Sequence, residues 1–210
     1  MKKSFMYFML IFAVLFGGVA TAGAQSKALK KDVKKRVKEL NKEGWKPLAS
    51  SSTLEYAFTK YRTYLEEDPE NRIELVGIAI GKNVKIGREN AIMNGITSYA
   101  SRAKAQVIGK MKSLMSSSAS DTSEEEIDKF GAAYESGVNT KIAGLVKQHL
   151  VLVKETGDGN KEFNVYMSID EAKAKKARED AAREARKKAA LGELSQQVEE
   201  FIGEPVELME

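Results

Sequence analysis

The chain contains no cysteine. That excludes disulfides, thiol catalysis and thiolate metal sites together, and it excludes the lipid-bearing cysteine of a bacterial lipoprotein. Histidine is nearly absent too. His149 stands alone among apolar residues, with no second histidine or carboxylate partner in sight, and is expected to be a structural side chain. The single tryptophan, Trp45, reads as a core plug. Charge of one sign is not in excess: the formal balance is +4 over 210 residues, which argues against nucleic acid as a partner. Gly81-Lys82-Asn83 lacks the spacing of a phosphate loop. The acidic turn Glu66-Glu67-Asp68-Pro69-Glu70 lacks the alternating ligands and central glycine of a calcium loop. No catalytic, cofactor-binding or metal-binding residues are therefore assigned.

Long apolar runs are scarce, and the main one lies at the start. Lys2 and Lys3 precede the apolar stretch Phe5 to Phe16, and Ala22-Gly23-Ala24 follows with the small-x-small pattern of a cleavage site. Residues 1–24 are expected to be a signal peptide, with export to the periplasm or cell surface. The run is shorter than the roughly 20 residues needed to span a bilayer, so no transmembrane span is expected in the mature chain. Removal of residues 1–24 leaves 186 residues with a formal charge of +2, enough for one domain with appendages. Without cross-links, a hydrophobic core must hold it.

Ser26 to Glu43 reads as a basic amphipathic helix, with Leu29, Val33, Val37 and Leu40 on one stripe and lysines, including Lys30, Lys34 and Lys38, around it. Those lysines are either a solvated face or a surface for anionic lipid or glycan. Gly44 has the character of a helix C-cap, and a short extended connector follows with Trp45 and Pro47, its polar end at Ser50-Ser51-Ser52. A second helix, Thr53 to Glu67, buries Leu54, Phe58, Tyr61 and Leu65.

The β-branched run Ile73 to Ile80 predicts a strand. Gly77 and Gly81 leave room for a close helix. Arg88 to Gly109 predicts the central helix, with Ile92, Ile96, Tyr99, Ala103 and Val107 facing the core. Met111 to Ser120 alternates weakly, as a strand fading into a serine-rich loop would. Asp121 or Thr122 is the expected cap of a helix opening with Glu124-Glu125-Glu126 and reaching roughly Ala143.

Leu145 to Glu155 and Lys161 to Ile169 form a hairpin around Asp158-Gly159. In its first arm His149, Val151 and Val153 share a face, and in its second Phe163, Val165, Met167 and Ile169 are buried. Ser168 to Glu171 has capping-box spacing. The alanine- and charge-rich helix it starts has few large apolar residues, so it is expected to project or lie lightly on the domain. Leu194, Val198 and Phe201 then form a sticky terminal face. The basic first helix and this acidic end could pair within one chain or between two.

The expected organisation is a signal peptide (1–24), an N-terminal helical region (25–68), a central α+β domain (69–170) and a C-terminal charged helix with an acidic tail (171–210). The fold class is α+β, a small antiparallel sheet of three to four strands packed on a long helix with helical extensions at both ends.

Three features carry a resemblance: Gly77-Ile78-Ala79 leading to a helix with Ala91, Ala100, Ala103 and Ala105, the run Val151-Leu152-Val153, and its pair Phe163-Asn164-Val165-Tyr166-Met167. In these the chain resembles a group of exported, uncharacterised proteins of Bacteroidetes. More distantly, it is similar to the LPP-type small lipoprotein domain and the N-terminal domain of the flagellar assembly protein FlgT. The resemblance implies a non-catalytic envelope module used for binding or assembly, with an envelope protein or a second copy as partner. Lipid attachment does not carry over, because the cysteine is missing.

Taken together, the expected interaction surface is Lys30, Lys34 and Lys38 with Leu194, Val198 and Phe201. A small hydrolase is the alternative from a different class, through a Ser–Lys pair such as Ser113 and Lys110.

Overall fold

The structure is a computed structural model, and it describes residues 22–48, 52–117, 122–192 and 194–206. The expected signal segment up to residue 21 lies outside the described residues. The elements run in the order α1 (Ala22–Lys42), β1 (Lys46–Pro47), α2 (Leu54–Glu66), β2 (Arg72–Gly81), α3 (Val84–Ser117), α4 (Glu124–Ala143), β3 (Lys147–Glu155), β4 (Lys161–Asp170), α5 (Glu171–Arg186) and α6 (Leu194–Phe201). The strands form one antiparallel sheet in the order β1-β3-β4-β2, so the fold is α+β.

Helices cover both faces of this sheet. One core joins Leu75, Phe163, Val165, Met167 and Ile169 to α3, α4, α5 and α6. The other joins Leu150, Leu152 and Tyr166 to Val33, Val37 and Leu40 of α1 and to Leu54, Phe58, Tyr61 and Leu65 of α2. β4 serves both cores because its side chains alternate between the faces. The helical extensions expected at the ends are thus outer layers of the fold. Even the connector after α1 belongs to the sheet, since Lys46 and Pro47 pair with Val153 and Leu152.

Local chemistry accounts for the element ends. Gly44 adopts φ +84° after α1, and Gly159 adopts φ +76° in the β3–β4 turn, where a side chain would be strained. Thr53 caps α2 by accepting from the Tyr56 N–H. α3 comes closest to β2 at Gly77, where a Cβ would lie 1.8 Å from the Ala91 carbonyl oxygen. Only a strand glycine permits that approach.

Several expectations are corrected. Met111 to Ser117 continues α3 as helix, because Met111 is fully buried in the core that α3 serves. Alternation over a few residues could not distinguish that case. The cap of α4 is Ser123, which accepts from the Glu126 N–H, while Thr122 donates its hydroxyl to the Leu191 carbonyl (2.7 Å). The cap of α5 is Asp170, accepting from the Lys173 N–H; Ser168 is still within β4. Finally, α5 does not project. Ala174, Ala177, Ala181, Ala182 and Ala185 are buried, and Gly137 of α4 sits so close to Ala181 that a Cβ would approach to 2.9 Å. Alanine, poor in apolar bulk, is what allows two helices to pack this tightly.

Candidate interaction surface

His149 lines a concavity between α2 and β3. A register shift between Gln148 and Leu150 marks a β-bulge at this residue. A bulge inserts one residue and re-aims its side chain, so His149 turns toward α2, whereas Val151 and Val153 pack against the opposite core. The shared face expected from alternation is therefore broken at the bulge. The imidazole lies against Tyr64 and Tyr61, with ring centroids at 4.6 and 5.1 Å. Its Nε2 is 2.7 Å from the Ser168 Oγ. Tyr56, Lys60, Tyr64 and Lys147 line a cavity of about 340 Å³ beside it.

A serine–histidine contact of that length has the spacing of a nucleophile and its base. Ser168 is only 2 % exposed, however, and sits inside a paired strand. A nucleophile must reach its substrate, so this contact works as a structural hydrogen bond. Burial, followed by the charges of Lys147, Arg72 and Lys60, pushes the His149 pKa down to about 4. The ring is neutral at physiological pH.

Ser113 and Lys110 both lie on α3, three residues apart. The Lys110 ammonium pairs with the Glu204 carboxylate and lies 5.6 Å from the centroid of the Phe201 ring. Among the described residues no group of three or more metal-binding side chains could hold a metal ion.

The expected interaction residues divide into two sets. Lys30, Lys34 and Lys38 are exposed along one side of α1, four residues apart, while Val33, Val37 and Leu40 hold that helix to the sheet. Leu194, Val198 and Phe201 are buried in the chain's own core, together with Leu191, Ile202 and Val206. They cannot serve as a free association face. Burying each stabilises the fold by about 1.5–3 kcal/mol, which is why the segment folds back.

A polar latch completes that docking. Arg178, 1 % exposed, donates to Glu171 Oε1 at 2.6 Å, to the Tyr99 hydroxyl, and to the carbonyls of Glu204 (2.9 Å) and Gly203 (3.3 Å). Burial works against the Arg178 charge, but Glu171 and Tyr99 overcome it and its pKa is raised. Burial likewise pushes the Tyr99 pKa up to about 12.

A strip of exposed apolar side chains lies elsewhere, on β2, besides Tyr56 of α2 and Val84, Ile86 and Met93 of α3. This strand is an edge of the sheet. Val76, Ile78 and Ile80 alternate along it and are 40, 51 and 63 % exposed. They point to the side covered by α1 and α2 over β3 and β4, but those helices do not cover this end of β2. At the same edge, Asn94 of α3 donates its side-chain amide to the Ile78 carbonyl at 2.7 Å. The β-branched run Ile73 to Ile80 identified the strand, but with apolar residues on both of its faces the sequence does not say which face is left open.

Fold and surface together define an α+β domain whose unsatisfied feature is an apolar sheet edge. No protein-family model and no curated protein matches the chain. A crystal structure of a hypothetical protein from Francisella tularensis is similar at 15 % identity, with a TM-score of 0.27. The match covers 72 % of this chain, and the chain spans about half of that structure's length (54 %).

Proposed function

We propose that the protein is a non-catalytic, exported envelope module that binds or assembles through the open edge of β2. The observation that carries this reading is the strip Val76, Ile78 and Ile80, exposed on an edge strand. Soluble proteins commonly blunt such edges with charge, proline or a covering element. From Val76 to Gly81 the strand has neither charge nor proline. Extended partners add to an edge of this kind by main-chain pairing, with alternate side chains supplying specificity. Export is supported by the Lys2-Lys3, Phe5–Phe16 and Ala22-Gly23-Ala24 pattern. No helix among the described residues is long and apolar enough to cross a membrane.

Chemical cross-linking in intact producing cells, with wild type and Ile78→Lys side by side, tests the proposal. A recurrent envelope adduct should form with wild type and be lost with the variant. Because the position is exposed, stability should move by no more than about 0.5 kcal/mol. Identical adduct patterns from both proteins would refute the role of the edge.

A second reading rests on the exposed row Lys30, Lys34 and Lys38, an electrostatic surface for anionic lipid or glycan. It requires binding to anionic vesicles that weakens steeply between low and physiological salt. Salt-insensitive binding would remove it.

A further inference from the structure

We propose that the partner at the β2 edge is a second copy of this chain, paired antiparallel about a two-fold axis at Ile78. This rests on the edge-binding reading above and adds the identity and register of the partner.

In a strand, the N–H and C=O of one residue point to the same edge, and successive residues alternate. The Ile78 carbonyl accepts from Asn94 of α3, so Ile78 presents its peptide groups to the open side. Glu74, Val76 and Ile80 then do the same. A symmetric antiparallel pair centred on Ile78 sets each residue against the one equally far on the other side of Ile78. Ile78 meets Ile78 of the second copy, Val76 meets Ile80, and Glu74 meets Lys82. All apolar positions of the strip face apolar positions, and the two flanking positions carry opposite charges.

Neighbouring registers lose this match. Centring on Val76 places Arg72 opposite Ile80 and Glu74 opposite Ile78. Centring on Gly77 places Arg72 opposite Lys82, and centring on Ala79 places Val76 opposite Lys82. Cross-strand pairs reward matched chemistry and penalise like charges, so the Ile78 register is selected.

A two-fold axis perpendicular to the sheet keeps equivalent faces together and closes the edge on itself. The result is a continuous eight-stranded sheet in which six exposed aliphatic side chains form one patch. Glu74 already accepts from the Tyr61 hydroxyl (2.7 Å) and lies 3.8 Å from Arg62, so its carboxylate is held at the strand surface where Lys82 of the second copy would reach it. Asn94 is the competing element. Its amide occupies the Ile78 carbonyl that the central pair uses, so pairing must displace it.

The absence of cysteine makes the register directly readable. In the full chain, Ile78→Cys should form a disulfide dimer on mild oxidation. Val76→Cys and Ile80→Cys should each stay unlinked alone and form a heterodimer when mixed, because their Cα separation in the paired strands suits a disulfide. Lys82→Glu should weaken the dimer about tenfold, replacing two attractions with two repulsions. Asn94→Ala should tighten it about fivefold, the order of one hydrogen bond no longer in competition. Sedimentation velocity measures both shifts.

A dimer whose cross-links form equally at all three positions, or with another pairing, overturns the register. A monomer whose Ile78 is cross-linked in cells to a different envelope protein overturns self-pairing and leaves the binding reading standing. A monomer with no adduct at Ile78 overturns both.

Discussion

Gly77 and Gly109 are both glycines in regular elements, and space alone separates their roles. A Cβ at Gly77 would collide with the Ala91 carbonyl, whereas nothing lies within 4 Å of one at Gly109. Gly77→Ala should therefore cost about 3 kcal/mol or more as α3 is pushed off β2. Gly109→Ala, in an exposed helix interior, should gain about 0.5–1 kcal/mol. Urea denaturation of the two variants reads both signs. His149 gives a second residue-level outcome. As the only histidine, its ring proton resonance in NMR needs no assignment, and it should titrate near pH 4 instead of near 6.5. The unfolded chain takes up that proton first as pH falls, so the contribution is whole above about pH 6.5 and is lost toward pH 4. A midpoint near 6.5 would show that the ring is not packed as described. The sequence revealed that Gly77 marks a close approach. It did not reveal the bulge at His149, because an inserted residue leaves the alternation of its neighbours intact on either side.

At the scale of elements, α5 and α6 teach the most. The burial of α5 was hidden because the pattern seeks large apolar side chains and α5 presents a row of alanines; the apolar face of α6 was legible, but not that it docks on the chain's own core. Arg178 was invisible for a related reason: one arginine among many charges in α5 is buried only because Glu171, Tyr99 and two carbonyls converge on it. Arg178→Ala leaves the Glu171 carboxylate without its partner and the carbonyls of Gly203 and Glu204 without a donor. It should cost about 3–5 kcal/mol and release the 194–206 segment. Limited proteolysis with mass analysis should then show cleavage there before the central sheet is cut. Unchanged resistance of that segment would mean that apolar packing alone holds it. By contrast, the bounds of α2, β2 and the β3–β4 hairpin were legible nearly to the residue, apart from the bulge at His149.

For the whole molecule, composition and order of elements sufficed for the α+β class but not for the layering. Nothing in the separate patterns of α1 and α2 says that they cover β3 and β4 and stop short of β2. That decision, made by long-range packing, moves the exposed apolar surface from the C-terminus, where Leu194, Val198 and Phe201 are enclosed, to Val76, Ile78 and Ile80. It also leaves the lysine row of α1 facing outward on the same side of the sheet. Two surfaces of opposite character thus compete for the functional role. A photo-cross-linking side chain placed at Ile78, and separately at Lys30, decides between them most directly in producing cells. Binding through the β2 edge should give a discrete protein adduct from Ile78 that persists at high salt. Adducts from Lys30 alone, disappearing as salt is raised, would contradict it and transfer the function to the basic helix.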